Sequence, residues 1–326
     1  MTGGGTEIRI SDAVARLKGV VDETPLVPFD ARDERVRLWL KLENRQITGS
    51  FKVRGAWNQI SLLSVEERAR GVIATSSGNH GKALAWAARR AGIAATIVMP
   101  ADAYANKIAA CRELGAEVVL GETREEAEAI CAERVASGAV LVHPYDAART
   151  VQGAGTVGFE ITRQDPSVEV VVAPVGGGGL ITGVSLAVRQ ELGDEVSVLG
   201  AEPEGAPSLS LGLAAGEPVL LKEITTKVQG LCPLASGAIN IATCAETVNE
   251  VLLVSDEEIF AAQAALVRAG EVVEPAGAAT TALVLSASLP EGLYEGRSAG
   301  DPLRVVAIVS GGNADPAQLE ALRARG

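Results

Sequence analysis

The chain has 326 residues, enough for a large core and, by length alone, about two domains. Apolar residues make up 47% of it, charged residues 21% and aromatic residues 3%, a folded composition filled by Ala, Val, Leu and Gly. A net charge of −12 repels phosphate backbones and anionic bilayers, which excludes nucleic acid and membrane surfaces and leaves small molecules as the expected partners.

Residues 1–19, MTGGGTEIRISDAVARLKG, lack a basic segment followed by an apolar one, so a cytoplasmic protein is expected. VRLWLKLE at 36–43 reads as a strand, and TGSFKVRGA at 48–56 as a turn meeting a helix that carries Lys52 and Arg54. Arg54 is expected to support structure or to lie at the surface. GVIATSS (71–77) is a strand, followed by the helix HGKALAWAARRAG (80–92) with a glycine suited to a C-cap. AATIVMP (94–100), the helix NKIAACRELGA (106–116), the strand EVVLG (117–121) and the strand AVLVHP (139–144) continue a βαβα period. Such a period implies a mostly parallel sheet with helices on both faces.

The pattern passes through GAGTVGFEITRQ (153–164) and restarts with VEVVVAPVGGGGLITGVSLAVRQ (168–190), then VSVLGAEPE (196–204) and RVVAIVSGGN (304–313). The uncharged run Val170 to Val188 is not a membrane span, because Pro174 and four glycines interrupt it. The predicted fold is therefore α/β with two domains, each an open, mostly parallel sheet flanked by helices. Residues 1–69 and 150–326 form the larger domain, 70–149 the smaller one, and a cleft lies between them. Cys111, Cys131, Cys232 and Cys244 contain no CxxC pair and the only histidines are His80 and His143, so neither a disulfide frame nor a zinc site is indicated.

Four unusual stretches fall near the carboxyl ends of predicted strands, where open parallel sheets bind ligands: TGSFK, TSSGNHG, GGGGL and SGGN. In VAPVGGGGLITG a strand, a glycine loop and a helix start crowd backbone N–H groups around an anion, as a phosphate requires. The nicotinamide spacing GxGxxG fails in both registers, ending on Ile181 or Thr182, yet Glu202 ends the next strand where a ribose-binding acid sits, and a dinucleotide stays open. Ser76, Ser77, Asn79 and His80 form a second cradle, suited to a carboxylate. A lysine between two such cradles is what pyridoxal phosphate chemistry needs.

KLENRQITGSFKVRGA, TSSGNHG, PVGGGGL and SGGN, in this order, resemble the serine/threonine dehydratase and serine racemase family of fold-type II pyridoxal phosphate enzymes. ETPLV (23–27), HPYDA (143–147) and VVEPAGA (272–278) extend the likeness over nearly the whole chain. The resemblance implies that Lys52 is the Schiff-base lysine and that Phe51 packs by the ring. It further implies that Asn79 bonds the ring hydroxyl, Gly176, Gly177, Gly178, Gly179 and Leu180 hold the phosphate, and Ser310 faces the pyridine nitrogen. A neutral hydroxyl at that position favours elimination over transamination.

The expected reaction is β-elimination from a β-hydroxy amino acid such as L-threonine or L-serine. The substrate carboxylate would dock on Ser76, Ser77, Asn79 and His80, and Lys52 would take the Cα proton. Ser77 matches the second base of racemases, so racemisation is the alternative, and a nicotinamide oxidoreductase is a distant one. Relatives with a structural Mg or Ca ion place acids around a short loop, whereas AEPEGAPS offers Glu202, Ala206 and Ser208, with serine where a carboxylate is usual, so a divalent cation is in doubt. TKVQGLCPLASGAIN (226–240) departs from the family in the substrate side-chain pocket, with Gln229 before Gly230, and leaves room for an aryl-serine or hydroxyaspartate. Lys227 is the only basic residue of that segment, which argues against the second of these. A homodimer is expected from the resemblance.

Overall fold

The computed structural model describes residues 8–324; residues 1–7 and the last two residues of ADPAQLEALRARG lie outside it. The chain opens with helix α1 (Ile10–Leu17) and strands β1 (Leu26–Phe29) and β2 (Val36–Leu42), then helices α2 (Lys52–Ser61) and α3 (Val65–Arg70). A run of alternating elements follows: β3 (Val72–Thr75), α4 (Asn79–Ala91), β4 (Ala95–Pro100), α5 (Ala105–Glu113), β5 (Glu117–Gly121), α6 (Arg124–Ala136) and β6 (Val140–Leu141). After α7 (Ala148–Gln164) come β7 (Val170–Pro174), α8 (Gly179–Leu192), β8 (Ser197–Pro203), α9 (Ser208–Ala215), α10 (Ala238–Thr247) and β9 (Glu250–Val254). The chain finishes with α11 (Asp256–Arg268), α12 (Pro275–Leu285), β10 (Leu303–Val309) and α13 (Pro316–Ala324). No helix among the described residues is long and apolar enough to cross a membrane.

The strands make two sheets, one of six in the order β1-β2-β10-β7-β8-β9 and one of four in the order β5-β4-β3-β6. Every pairing is parallel except β1 with β2. All five residues of β7 are buried, as expected of a strand covered on both faces. Alternate residues feed opposite sides: Val170 and Val172 join one cluster with α11 and α12, while Val171 and Ala173 join another with α7 and α8. In the small sheet Val72 and Ala74 face α4, whereas Ile73 faces α6.

Two strands have no counterpart in the sequence reading, β1 and β9, one at each edge of the large sheet. Residues 139–144 are also less extended than expected, since only Val140 and Leu141 pair. The chain turns immediately afterwards, where His143 Nδ1 accepts the backbone N–H of Asp146 at 2.7 Å.

Helix α2 is fixed at both ends of its first turn. The segment before it runs alongside the end of β10, with an isolated bridge between Ser50 and Gly311 and a bond from Phe51 N to Ser310 O at 3.1 Å. Gly49 makes this approach possible: its φ is +76°, and a Cβ there would press on the Asn313 amide. Two residues past Lys52, Arg54 is buried rather than exposed. Its guanidinium is bidentate on Glu43, Nε to Oε2 at 2.8 Å and Nη2 to Oε1 at 2.7 Å. It also reaches Glu160 Oε1 at 2.6 Å and Thr156 Oγ1 at 3.1 Å.

Glu160 in turn accepts from Lys41 Nζ at 2.6 Å, and Thr24 Oγ1 donates to Glu43 at 2.5 Å. Burial opposes charge on Arg54, yet Glu43 and Glu160 outweigh it and hold the guanidinium above its usual pKa. For Lys41 the balance differs, and burial draws its pKa down despite Glu160. The network ties α2, α7 and the end of β2 together through charges that have no water to fall back on.

Removing the cation leaves the buried Glu43 carboxylate with no opposing charge in hydrogen-bonding contact and Glu160 with Lys41 alone. Arg54→Met is therefore expected to lower the stability measured by urea unfolding by about 3–5 kcal/mol, whereas a change below about 1 kcal/mol, the worth of an exposed pair, contradicts the buried clamp.

Candidate active site

A cavity of about 660 Å³ opens between the two sheets at the carboxyl ends of their strands. Its wall contains Phe51, Lys52, Ser76, Ser77, Asn79, His80, Gly176, Gly177, Gly178, Gly179, Leu180 and Ser310, so the four stretches singled out in the sequence converge on one space. Ser310 and Lys52 are brought together by the pairing of residues 49–51 with the end of β10.

Lys52 is the first residue of α2, and its side chain crosses the cleft to donate from Nζ to Pro144 O at 2.9 Å. The amine also lies 5.1 Å from the centre of the Phe51 ring. No carboxylate pairs with it. Desolvation pulls its pKa down to about 8, with the charge of Glu274 pulling the other way. An amine in that range is uncharged in a useful fraction near neutrality and serves as nucleophile or base.

The glycine loop joins β7 to α8, and its carbonyls are tied back into the protein. Gly176 O accepts from Ser236 Oγ at 3.3 Å, Gly177 O from Asn240 Nδ2 at 2.7 Å and Gly237 N at 3.1 Å, and Gly178 O from Thr182 Oγ1 at 2.8 Å. The N–H groups of Gly177, Gly178, Gly179 and Leu180 find no acceptor among the described residues. They lie at the start of a 14-residue helix, whose dipole adds to their attraction for an anion.

Gly178 has φ +94°. A Cβ on Gly177 would strike the Tyr145 ring, one on Gly178 would lie 2.7 Å from Asn240 Cβ, and one on Gly179 2.8 Å from Tyr145 O. Tyr145 and Asn240 thus shape the loop, although the sequence assigned neither a role. Tyr145 lay in the HPYDA stretch, the only signal that could have marked it.

In the second cradle Ser76 Oγ accepts from Gly78 N at 3.3 Å and Gly81 N at 3.0 Å, which turns the chain into α4. Asn79 begins that helix and donates its amide to Glu274 Oε1, while its Oδ1 accepts from Asn313 Nδ2 at 2.7 Å. Asn313 Oδ1 receives Lys82 Nζ at 2.8 Å. Burial pushes Glu274 above the usual carboxylate range, against the Asn79 amide and nearby lysines. His80 bonds Val142 O through Nε2 at 2.7 Å, and desolvation brings its pKa down to about 3, so the ring is neutral. Ser310 Oγ, also neutral, lies 3.4 Å from Ala276 O.

These groups suit pyridoxal phosphate: a desolvated lysine amine for its aldehyde, unpaired N–H groups at a helix start for its phosphate, and the Asn79 amide and Ser310 hydroxyl for its ring. The oxygens considered for a divalent cation are engaged within the protein. Both oxygens of Glu202 are taken by α9, Oε1 by Leu209 N at 2.7 Å and Oε2 by Ser210 N at 3.0 Å and Ser210 Oγ at 2.6 Å. Ala206 O accepts from Ser208 N at 2.8 Å, and Ser208 Oγ pairs with Ser236 Oγ at 2.9 Å. Glu202 is fully buried and outside the cavity wall, which also removes the ribose-binding role that kept a dinucleotide open.

Residues 17–311 match the family model described as "Pyridoxal-phosphate dependent enzyme". An L-threonine ammonia-lyase of Thermotoga maritima is 41% identical over 94% of this chain and 75% of its own length. A serine racemase of Oryza sativa subsp. indica is 34% identical over 94% and 90%. The solved structure of maize serine racemase superposes with a TM-score of 0.87 at 32% identity, covering 97% of this chain and 96% of that one.

Two measurements test this geometry. In cofactor-free protein, carbamylation of Lys52 by cyanate, followed by peptide mass spectrometry, is expected to reach half its maximal rate near pH 8. A midpoint at the ordinary lysine value contradicts a desolvated amine. The thermal unfolding midpoint is expected to be the same in EDTA as in excess Mg²⁺ or Ca²⁺, because an ion at a hundred times its Kd stabilises by about 2.7 kcal/mol and would raise it visibly.

Proposed function

The chain belongs to the pyridoxal-phosphate dependent enzyme family, and we propose that it is a lyase acting on a β-hydroxy amino acid such as L-threonine or L-serine to give a 2-oxo acid and ammonia. The observation that carries the reading is Lys52, an amine drawn down to about pKa 8 by desolvation and sharing the cavity wall with two helix-start cradles. The 41% identity to an L-threonine ammonia-lyase supports the reaction class.

Pyridoxal phosphate, once bound, supplies an aldehyde for the substrate amine and a conjugated ring that accepts the electron pair of the broken Cα–H bond. The chain does the rest. The N–H groups of Gly177 to Leu180 would hold the phosphate, and the Asn79 amide would serve the ring hydroxyl. Ser310, a neutral hydroxyl, would face the pyridine nitrogen without supplying the negative charge that a protonated nitrogen needs, which would favour loss of the β-hydroxyl. The turn from Ser76 to His80 docks the substrate carboxylate and orients Cα–H toward Lys52.

Lys52 takes the Cα proton, and its protonated form is then placed to assist departure of the hydroxyl as water. His80 contributes backbone and packing rather than charge, since its ring is neutral. We take residues 70–149 as the smaller domain because they contain the four-stranded sheet. Racemisation is the second reading, supported by Ser77 in the cavity wall and by the serine racemase relatives.

Purified enzyme loaded with the cofactor is expected to be yellow, and borohydride is expected to fix the cofactor's mass on the peptide carrying Lys52. Lys52→Ala is expected to lose that mass and to lower 2-oxo acid release by at least about 10³-fold. Incubation with L-serine separates the two readings: pyruvate in excess of D-serine supports the lyase, and the reverse sinks it.

A further inference from the structure

We propose that His143 is a positioning residue of the reacting centre. Its imidazole holds the turn 143–146 in the shape that presents the Pro144 carbonyl to Lys52 and the Tyr145 ring to the glycine loop. The inference rests on the lyase reading above and assigns that site a residue from behind the cavity wall, which includes Pro144 and Tyr145 but not His143.

The shape of the turn comes from one atom. His143 Nδ1 accepts the backbone N–H of Asp146 at 2.7 Å and that of Tyr145 at 3.3 Å. Asparagine and aspartate make the same arrangement when a side-chain oxygen bonds the backbone two residues on, and here a ring nitrogen takes the place of that oxygen. Only an imidazole without a proton on Nδ1 accepts. Desolvation supplies that state, drawing the pKa of His143 below its usual value against the charge of Asp146. The ring also packs edge-on against Tyr145, with centroids 4.7 Å apart. The His143 carbonyl is anchored separately, accepting from Thr150 Oγ1 at 2.8 Å and Gln59 Nε2 at 3.2 Å.

Each of the next three residues serves a different part of the site. Pro144 O receives Lys52 Nζ at 2.9 Å, the one hydrogen bond of that amine among the described residues. The Tyr145 ring stands where a Cβ on Gly177 would go, and Tyr145 O accepts from Asn240 Nδ2 at 3.2 Å. Asp146 reaches the start of α10, accepting from Ala238 N at 3.1 Å and Ile239 N at 3.0 Å. The residue before that helix is Gly237, which has no side chain to cap it, so a carboxylate 92 positions from Ala238 closes its first turn.

One turn therefore sets the direction of the amine, backs the phosphate loop and holds the start of α10. Without the Nδ1 acceptor, two N–H groups lose their partner and the peptides of 144–146 rotate, which swings the Pro144 carbonyl away from Lys52. The substrate carboxylate docks elsewhere, on the turn from Ser76 to His80. The loss consequently falls on proton transfer by a misdirected amine, not on binding.

The test compares His143→Asn, His143→Gln and His143→Leu with the unsubstituted protein. Asparagine places an oxygen where Nδ1 lies, glutamine places it one bond farther out, and leucine fills space but accepts nothing. In cofactor-free protein, amide hydrogen exchange read by mass spectrometry is expected to speed up about tenfold or more in peptides covering 144–147 and 237–240 of the Gln and Leu variants, and not in those covering β7. The Asn variant is expected to keep the original pattern. In holoenzyme, kcat for 2-oxo acid release from L-serine or L-threonine is expected to fall about tenfold or more for Gln and Leu, with KM within about threefold, while Asn restores kcat.

Should His143→Leu not fold, the contrast between Asn and Gln decides. Equal exchange in those two variants overturns the inference, because Nδ1 is then not the atom that fixes the turn. An Asn variant with the original exchange pattern but lost activity also overturns it, since the imidazole then does something an acceptor cannot. A raised KM at unchanged kcat does the same. If the unsubstituted holoenzyme releases no 2-oxo acid from any β-hydroxy amino acid, the lyase reading falls, and the exchange pattern still decides whether His143 fixes the turn.

Discussion

The buried guanidinium of Arg54 is the fixed point from which the active site is measured. It joins α2 to the buried Glu43 at the end of β2 and to the half-buried Glu160 in the last turns of α7, all within hydrogen-bonding distance. Buried ion pairs of this sort add little net stability, because desolvation consumes most of the Coulombic gain. What they impose is geometry, since a slip of α2 by one residue takes the guanidinium from both carboxylates at once. Lys52 lies on the same helix two residues earlier, so its amine inherits that registration. A reactive amine facing the cleft therefore starts the helix that a buried, structural guanidinium holds in place.

The cavity handles charge by two different means. Backbone N–H groups at the starts of α4 and α8 form cradles that bear no formal charge and that salt screens weakly inside a cleft. Lys52 is the other means, an amine with no carboxylate partner whose burial decides its protonation. An ion pair there would hold the amine charged and idle. The Glu274 carboxylate is near enough to matter, and its Oε1 accepts the Asn79 amide instead of pairing with the lysine.

Much of the site was legible because each cradle is a local object. A strand, three or four small residues and a helix start fall within a dozen positions, and glycine runs mark where backbone must face a ligand. Lys52 became significant only because two cradles flanked it in the family order. The edge strands β1 and β9 were missed because strands of four and five residues at a sheet edge carry little apolar periodicity. Glu202 stayed ambiguous because a carboxylate after a strand looks the same whether it meets a ribose, a metal or a helix start.

Other partners were beyond reach for a physical reason: Asn79 and Glu274 are separated by 195 positions, and no local pattern encodes such a meeting. Arg54 was expected to be supporting or superficial, and only the fold reveals that it is among the most buried side chains.

The glycine loop has a consequence for how damage to this protein would present itself. The atoms that forbid a side chain at Gly177, Gly178 and Gly179 belong to Tyr145 and Asn240, not to a ligand. A methyl group there disturbs the junction of β7, α8 and α10 whether or not the cofactor is present. Alanine substitutions in this loop act as folding lesions that mimic a vitamin-binding defect, and an enriched supply of the vitamin has nothing left to bind.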